Sequence, residues 1–291
     1  MVWLFGVKAL CAKRSPPNIV RRSFPILTVF NPSYVTYCKT GDMKLQTVVS
    51  LVSALSDPRF ETYKRHVNND THKALDLYLW NIDMSRAVAA TTGMVEVQLR
   101  NSINRALARW NAEQEVRVPG RTAPYSADWL RDPAPKLAQI INQPNKPQFW
   151  EKAIPALKDI NGKLKKPRNQ YSHDDLVAAL TFGSWTYLLP KPNAGSNNAR
   201  RQLWDNALKF EFAARRRNQY PYESHRVIYF WAKTVQYARN RANHLEPLLD
   251  PDEVLRYHRA SHRLLNSMNP AAASWLAGQK FIPDALATRP Y

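Results

Sequence analysis

Apolar residues recur at intervals of three and four residues along most of this chain, and this helical period constrains the fold more than any other feature. Alternation of apolar and polar residues, which would indicate strands, is scarce. The 291 residues include only 8 glycines but 21 prolines, so tight hairpins are few and the prolines separate helical segments. The sequence therefore predicts an all-α fold.

Caps and breakers place the boundaries of the predicted helices. Between Asn111 and Tyr171, eight prolines and weak periodicity predict an irregular, partly helical insertion instead. Ser172 and Asp175 resemble a capping box, and Asp250 followed by proline is a favourable helix start. Helices are predicted at 43–55, from Thr71 through Ile82, at about 92–110, from Ser172 to Pro190, near 199–217, at 222–246, and from Asp250 to about Met268. Apolar stripes lie on the first helix (Leu45, Val48, Val49, Val52, Leu55) and on the third (Val95, Leu99, Ile103, Leu107, Trp110).

The composition favours a soluble, intracellular protein with a polyanionic partner. The 42 Lys+Arg residues exceed the 23 Asp+Glu residues, and the net charge of +19 makes nucleic acid the leading partner class. Two cysteines exclude a disulfide scaffold. Because no apolar run approaches the roughly 18 residues that cross a bilayer, we expect no membrane association.

Residues 1–42 lack the helical period of the rest of the chain. We interpret them as a non-conforming leader, either disordered or an artefact of start-codon assignment. Without them the net charge falls to +14, because this segment holds six basic residues and one acidic residue. The domain itself is predicted at 43–268, and residues 269–291 are predicted to be a C-terminal tail.

No pattern in the sequence indicates a cofactor or a metal. Neither the GxGxxG motif of dinucleotide binding nor the GxxxxGK[ST] motif of the P-loop occurs. Likewise, no HExxH, CxxC or clustered acidic pattern offers a set of metal ligands. We therefore expect neither a cofactor nor a metal ion.

The segment 226–249 combines an apolar stripe with a polar arc. On an ideal helix Arg239, Asn240, Asn243 and His244 share one arc, in which Arg239 and His244 lie about 140° apart. Histidine exchanges protons near neutrality, and arginine stabilises phosphoryl transition states. RNA supplies its own nucleophile in the 2′-hydroxyl, so this arc could cleave RNA without a metal. A solvated helix face is the simpler alternative. The stripe consists of Val227, Trp231, Val235, Ala238, Ala242, Leu245 and Leu249.

Three segments in order carry a family resemblance. They are VEVQLRNSINRAL at 95–107, LTFGSWTYLL at 180–189, and RNRANH at 239–244 followed by Glu246-Pro247. They are similar to the E-x-x-LRN-x-I helix, the FG-x-W segment and the R-x4-H signature of the Abi-like abortive-infection family, a branch of the HEPN superfamily. The resemblance covers about three quarters of the chain, from about 44 to 268.

This resemblance implies an HEPN-type helical bundle and a homodimer that brings two R-x4-H motifs into one cleft. It also implies metal-independent cleavage of single-stranded RNA in a cytoplasmic bacterial phage-defence or toxin–antitoxin system, with an RNA or protein antitoxin as a further partner. Carried over to this chain, Arg239 would stabilise the scissile phosphate, Asn240 would be the polar residue after the arginine, and His244 would be the general acid–base. Asn243 and Leu245, which flank His244, depart from the commonest family pattern.

The side chains around this motif have two interpretations. Glu96 and Arg100 are i,i+4 neighbours that suit a structural salt bridge. Alternatively, Glu96, Arg100 and Asn101 support the cleft and position Arg239, together with Asn243 and Glu246.

Basic clusters outside the motif are candidates for tracking RNA phosphates, with a solvated face as the alternative. Phe182, Gly183 and Trp185 are instead predicted to pack in the core, where Gly183 would permit a close helix approach. The basic candidates are Lys163, Lys165, Lys166, Arg168, Arg215, Arg216 and Arg217.

Two function hypotheses follow, together with a weaker third. The first is a metal-independent endoribonuclease that uses 2′-hydroxyl attack. The second is a non-catalytic RNA-binding protein on the same scaffold that recognises a structured RNA. The third is a helical adaptor whose charge only confers solubility.

Overall fold

The computed structural model of the chain describes residues 44–55, 57–116, 118–212 and 224–291. Most of these residues are helical, and none of them forms a β-strand, so the all-α prediction is confirmed. The predicted leader at 1–42 and the candidates Arg215, Arg216 and Arg217 lie outside the described residues.

The α-helices of the described residues are α1 Leu45–Ala54, α2 Asp57–Arg65, α3 Thr71–Ala112, α4 Pro135–Ile141, α5 His173–Ala179, α6 Phe182–Leu188, α7 Ala199–Asn206, α8 His225–Asn243, α9 Pro251–Met268, α10 Pro270–Gln279 and α11 Phe281–Ala287. Short 3₁₀ helices lie at Phe149–Leu157, Arg168–Gln170 and Leu208–Phe212.

The described residues divide into two compact units, which lie within residues 1–78 with 290–291 and within residues 79–289. The division lies within α3, inside the domain that we predict at 43–268. The interval 269–291, predicted as a tail, instead contributes α10 and α11 to the second unit. These helices bury Ala273, Leu276 and Ile282, and this burial explains why the chain continues to fold beyond Met268.

In the first unit, α1 and α2 bury only part of their apolar surface. Val48, Phe60 and Tyr63 are buried, and the rings of Tyr63 and Tyr78 meet edge to face with centroids 5.3 Å apart. Val49 is 59% exposed, so the stripe predicted for this helix is only partly confirmed. Val48 and Val49 point about 100° apart around the helix, so the packing that buries Val48 leaves Val49 in solvent.

Helix α3 is continuous where the sequence predicts two helices, at 71–82 and about 92–110. It begins one residue after Asp70, whose carboxylate accepts the Lys73 N–H at 3.0 Å, so Asp70 rather than Thr71 is the cap. The Thr92 hydroxyl donates to the Val88 carbonyl at 2.8 Å. Thr92, which the sequence predicts at the start of a helix, therefore lies inside α3 and donates its hydroxyl to the backbone of the preceding turn. The predicted stripe of Val95, Leu99, Ile103, Leu107 and Trp110 is buried, as expected.

The proline-rich segment after α3 is irregular and partly helical, as predicted, but it belongs to the main core. Trp129 and Phe149 are fully buried, and the Trp129 ring meets Trp185 edge to face at 6.3 Å. Asn111 fastens the segment, since its buried amide donates to the carbonyls of Ser126 (2.7 Å) and Asp132 (2.9 Å). The segment thus completes the core against which α5 and α6 pack.

The predicted helix from Ser172 to Pro190 is two helices. The capping box is confirmed: the Asp175 N–H donates to the Ser172 hydroxyl at 3.1 Å, and the Ser172 N–H donates to the Asp175 carboxylate at 2.8 Å. α5 then ends at Ala179, and extended backbone at Leu180 and Thr181 separates it from α6.

Helix α6 packs its apolar residues as predicted. Phe182 and Trp185 are buried in the core. A Cβ atom on Gly183 would lie 3.2 Å from the Gln236 amide nitrogen of α8, so the close helix approach expected at this glycine is confirmed. The α6 N-terminus is therefore held against α8, which carries the R-x4-H motif.

Helix α9 begins at its predicted cap, and α8 lies within the range predicted for it, 222–246. The Asp250 carboxylate accepts the Asp252 N–H at 2.9 Å, and α9 ends at Met268. α8 packs against both α9 and α6. Its predicted stripe is buried at Trp231, Val235, Ala238 and Ala242.

Candidate functional site at the C-terminal end of helix α8

Helix α8 ends in a defined turn that exposes His244. The Leu245 N–H donates to the Ala242 carbonyl at 3.1 Å, and the Glu246 N–H donates to the Arg241 carbonyl at 2.9 Å. This pair of bonds is a Schellman motif, and Leu245 takes the left-handed position at φ 50°. His244 is the C-terminal cap residue and is exposed to solvent.

Arg241, for which the sequence predicts no role, fastens this turn to α9. Its guanidinium donates to the Glu253 carboxylate at 2.5 Å, to the Tyr257 hydroxyl at 3.1 Å and to the Pro247 carbonyl. Its Nε also lies 3.3 Å from the Glu246 carboxylate. The side chain is only 14% exposed, so Arg241 is a half-buried anchor.

The contacts of this anchor shift the pKa values of Arg241 and Tyr257. Burial opposes the positive charge of Arg241, but its hydrogen bonds to Tyr257 and Glu253 outweigh burial and raise its pKa. Burial, together with the hydrogen bond from the Tyr257 hydroxyl to Glu253 at 2.6 Å, raises the Tyr257 pKa. The anchor therefore does not titrate near neutrality. Its partners lie 12 and 16 residues away on another helix, so spacing along α8 could not reveal it.

A second anchor that sequence reasoning missed is Asn81 of α3. Its amide donates to the Glu246 carbonyl at 3.3 Å and accepts the Leu248 N–H at 2.7 Å. Asn81 is fully buried. The available signal is an amide within the apolar run Leu79–Ile82, because a buried amide must find hydrogen-bond partners.

Arg239 extends toward α3 and contacts Glu96. The Nε of Arg239 lies 3.5 Å from the Glu96 carboxylate, and the two side chains are 34% and 18% exposed. Burial raises the pKa of Glu96, and this effect is only partly offset by Arg239, by Arg100 and by the hydrogen bond from the Phe182 N–H. Glu96 thus links α3, α6 and α8 at one carboxylate.

The two open interpretations of Glu96 can now be compared with its contacts. Glu96 forms its ion pair with Arg239, whereas Arg100 donates to the Ala178 carbonyl at 3.3 Å. Arg100 still acts on Glu96 through its charge. Asn101 is exposed on the same helix. The contact of Glu96 with Arg239 is the one that the positioning interpretation requires.

Several polar side chains at the end of α8 are exposed to solvent. Asn240, Asn243 and His244 are exposed, and no further hydrogen bond or ion pair of Arg239 occurs among the described residues. The terminal amino groups of its guanidinium can therefore bind an anion. Arg239 and His244 are about 140° apart around the helix axis, so they approach a shared ligand from different sides.

The basic candidates at 163–168 divide into two pairs. Lys166 lies 2.7 Å from Asp175 and over the Tyr171 ring, and Arg168 lies 3.6 Å from Glu151. These contacts hold the irregular segment together. Lys163 and Lys165 are exposed. Exposed lysines suit phosphate contacts more than paired ones do.

No group of three or more His, Cys, Asp or Glu side chains in the described part of the chain is arranged to hold a metal ion. Likewise, none of the helices described for this chain combines the length and apolar character that a membrane span needs. Comparisons of the chain with protein-family models, with curated proteins and with solved structures found no match.

Proposed function

We propose that the protein is a metal-independent endoribonuclease on an HEPN-type helical bundle, acting in a cytoplasmic bacterial abortive-infection or toxin–antitoxin system. The observation that carries the proposal is the geometry at the end of α8, where Glu96 contacts Arg239 and an anchored turn exposes His244. The ordered resemblance of three segments to the Abi-like family supports it.

In the proposed reaction the RNA attacks itself. The 2′-oxygen forms a bond to the adjacent phosphorus as the bond from phosphorus to the 5′-oxygen breaks. His244 accepts the proton of the 2′-hydroxyl, and a protonated imidazole donates a proton to the leaving 5′-oxygen. Arg239 stabilises the charge that accumulates on the phosphoryl oxygens. The products are a 2′,3′-cyclic phosphate and a 5′-hydroxyl.

A homodimer would bring two copies of the site to one RNA. One His244 could then act as the base while the other acts as the acid. A homodimer would also overcome the separation of Arg239 and His244 around α8, because Arg239 of one copy could act beside His244 of the other. The net charge of +19 favours association with a polyanion in either assembly.

Cleavage of single-stranded RNA in excess EDTA tests the proposal. We expect His244→Ala to reduce the cleavage rate by about 10²–10⁴-fold, because general acid–base catalysis contributes that much. His66→Ala is the matched control: this histidine is exposed, and its ring lies 2.8 Å from the Thr62 carbonyl of α2. Undiminished cleavage by His244→Ala would refute the assignment, as would products that lack a cyclic phosphate.

The same variants can be tested in cells. Expression of the wild-type protein is expected to arrest bacterial growth, whereas cells that express Arg239→Ala/His244→Ala are expected to grow. Immunoblotting checks that both proteins accumulate equally. Growth arrest by the double variant would show that toxicity does not come from this site.

A non-catalytic RNA-binding protein is the second candidate. The angle of about 140° between Arg239 and His244 favours it if the chain is monomeric, since the two side chains then diverge. Tight, salt-dependent binding of RNA by wild type without any cleavage would support this function over the first.

A further inference from the structure

An open groove of about 780 Å³ lies between α8 and α9. It is lined by aromatic side chains of α8 and by basic side chains of both helices. None of its basic residues belongs to the R-x4-H motif or to the clusters that the sequence singles out. The groove therefore requires an explanation of its own.

Two exposed aromatic rings follow one another along the groove. Phe230 is 64% exposed and Tyr237 is 55% exposed. They are seven residues apart, which places them about 10 Å apart on the same side of α8. Large apolar rings left in solvent at this spacing offer two platforms for planar ligands. That distance corresponds to about three stacked nucleotides.

The groove is strongly basic. Lys233, Arg256, Arg259 and Arg263 line it, and the three arginines make no hydrogen bond or ion pair with any other described residue. The acidic residue among its lining side chains is Glu253, whose carboxylate is already occupied by Arg241 and Tyr257. The charge offered to a ligand is therefore positive.

The groove continues toward the candidate site. Tyr237 stacks edge to face on Tyr257 at 6.2 Å, and the Arg241 guanidinium lies 5.7 Å from the Tyr237 ring. His244 follows Tyr237 by another seven residues, so Phe230, Tyr237 and His244 lie along one side of α8. A strand bound in the groove would point toward His244.

We propose that this groove binds a single strand of RNA, whose bases stack on Phe230 and Tyr237 while Arg256, Arg259 and Arg263 contact its phosphates. The choice of RNA as the bound strand rests on the proposed function. The stacking and phosphate contacts rest only on the side chains that line the groove. Stacking platforms combined with a basic groove are the usual means of binding single strands. A duplex is a poorer ligand, because its bases are stacked on one another and cannot stack on the two rings. An apolar protein partner is also a poorer ligand, because its binding would remove water from the four cationic side chains that line the groove.

Binding is measured by fluorescence anisotropy in the His244→Ala background, so that the result does not depend on cleavage. The probe is a fluorescein-labelled oligouridine of about twelve nucleotides. We expect Phe230→Ala to weaken binding about tenfold, because base–aromatic stacking contributes that much. Phe210→Ala is the matched control: Phe210 is 56% exposed and does not line the groove.

The charge contribution is tested by the salt dependence of binding. Arg256→Gln/Arg263→Gln should lower the slope of log affinity against log salt by about 1.4, since each phosphate contact of a single strand accounts for about 0.7. Arg65→Gln/Arg86→Gln removes two exposed arginines that do not line the groove and should leave the slope nearly unchanged.

Competitors distinguish the possible occupants. Deoxyuridine oligomers should compete about as well as oligouridine, because the groove contacts bases and phosphates, whereas duplex RNA should compete poorly. Groove variants that bind like their controls would overturn the proposal, as would duplex RNA that competes equally. It would also fail if Phe230→Ala altered only the oligomeric state in sedimentation. Absence of cleavage by wild type would count against the proposed function and leave this groove test intact.

Discussion

At the scale of single residues, the candidate site depends on side chains that need not touch RNA. Arg241 ties the turn after α8 to Glu253 and Tyr257, and Asn81 holds the next residues by two hydrogen bonds. A cap residue in an unanchored turn would sample many orientations. In the proposed reaction His244 acts only if its position is maintained, so these anchors would serve as positioning residues.

Removing the Arg241 side chain should destabilise the protein and reduce catalysis. Arg241→Ala leaves the Glu253 carboxylate without its cation, and we expect the free energy of unfolding to fall by about 3 kcal/mol. Urea denaturation measures this loss. Below the transition, kcat for RNA cleavage should fall while KM stays nearly constant, because Arg241 does not contact the substrate in the proposed site.

Two further variants separate positioning from folding. Arg241→Lys keeps the positive charge but lacks the planar guanidinium that donates to several acceptors at once. Relative to Arg241→Ala, it should therefore restore the free energy of unfolding more fully than it restores kcat. Arg226→Ala removes an exposed arginine near the start of the same helix and should change neither quantity. An Arg241→Ala protein with unchanged unfolding and unchanged kcat would contradict the anchor.

Glu96 permits a test of its two interpretations. Burial raises the pKa of Glu96. Ionisation of this carboxyl in the folded protein therefore lowers the free energy of unfolding at a pH above the raised pKa. At lower pH the carboxyl is protonated and this cost is absent. Glu96→Gln removes the cost, retains an oxygen for the Phe182 N–H and loses the charge that holds Arg239. We expect the free energy of unfolding at pH 7 to stay within about 0.5 kcal/mol.

The same variant should nevertheless cleave RNA more slowly, because Arg239 is no longer held. Thermal unfolding and initial cleavage rates at pH 7 measure the two effects. A large loss of stability with unchanged cleavage would favour the purely structural salt bridge.

At the scale of helices, termini and their caps decide where chemistry can occur. α5 begins at a capping box in which the Asp175 carboxylate also meets Lys166 at 2.7 Å. α6 begins where the Phe182 N–H reaches Glu96, and α8 ends at the anchored turn. The candidate site therefore lies where the start of α6 and the end of α8 meet α3.

The α5 cap should show a defined pH dependence. Hydrogen bonds from Lys166 and Ser172 lower the pKa of Asp175 to about 2. A lowered carboxyl pKa stabilises the fold above the ordinary value near 4, and this contribution disappears as the pH falls toward 2. Asp175→Asn should therefore lower Tm at pH 7 and converge with wild type near pH 2.

Calorimetry from pH 7 to pH 2 measures this convergence. Asp174→Asn, an exposed acid in the same helical turn, is the control and should shift Tm less at pH 7. Parallel Tm curves for Asp175→Asn and wild type over the whole range would show that the cap does not depend on the carboxylate charge.

At the scale of the whole molecule, the net charge would govern how the proposed RNA substrate approaches the protein. The +19 charge attracts any polyanion, and its range shrinks with salt. A strand could be directed by the local pattern between α8 and α9, which consists of exposed rings and of arginines without an ion pair among the described residues. General attraction and local orientation are therefore separate properties, and the variants above change one with little effect on the other.

Local features of the sequence predicted most helices and part of the site. The stripe from Val95 to Trp110, the Ser172 capping box and the Asp250 start depend on interactions within a few residues, so spacing reveals them. The continuity of α3 was missed because Thr92 can either cap a helix or bond back to Val88, and only its backbone surroundings select between these. The exposure of Val49 likewise depends on which neighbours cover α1.

By itself, the sequence determined the helical class, the excess of positive charge and the polar arc that contains Arg239 and His244. These properties are additive over residues or local in the chain. Tertiary structure alone decided that Arg239 meets Glu96, that Arg241 is an anchor, and that α8 and α9 form a basic aromatic groove. Each of these contacts joins residues distant in sequence, and their formation depends on how helices pack rather than on the spacing within any one of them.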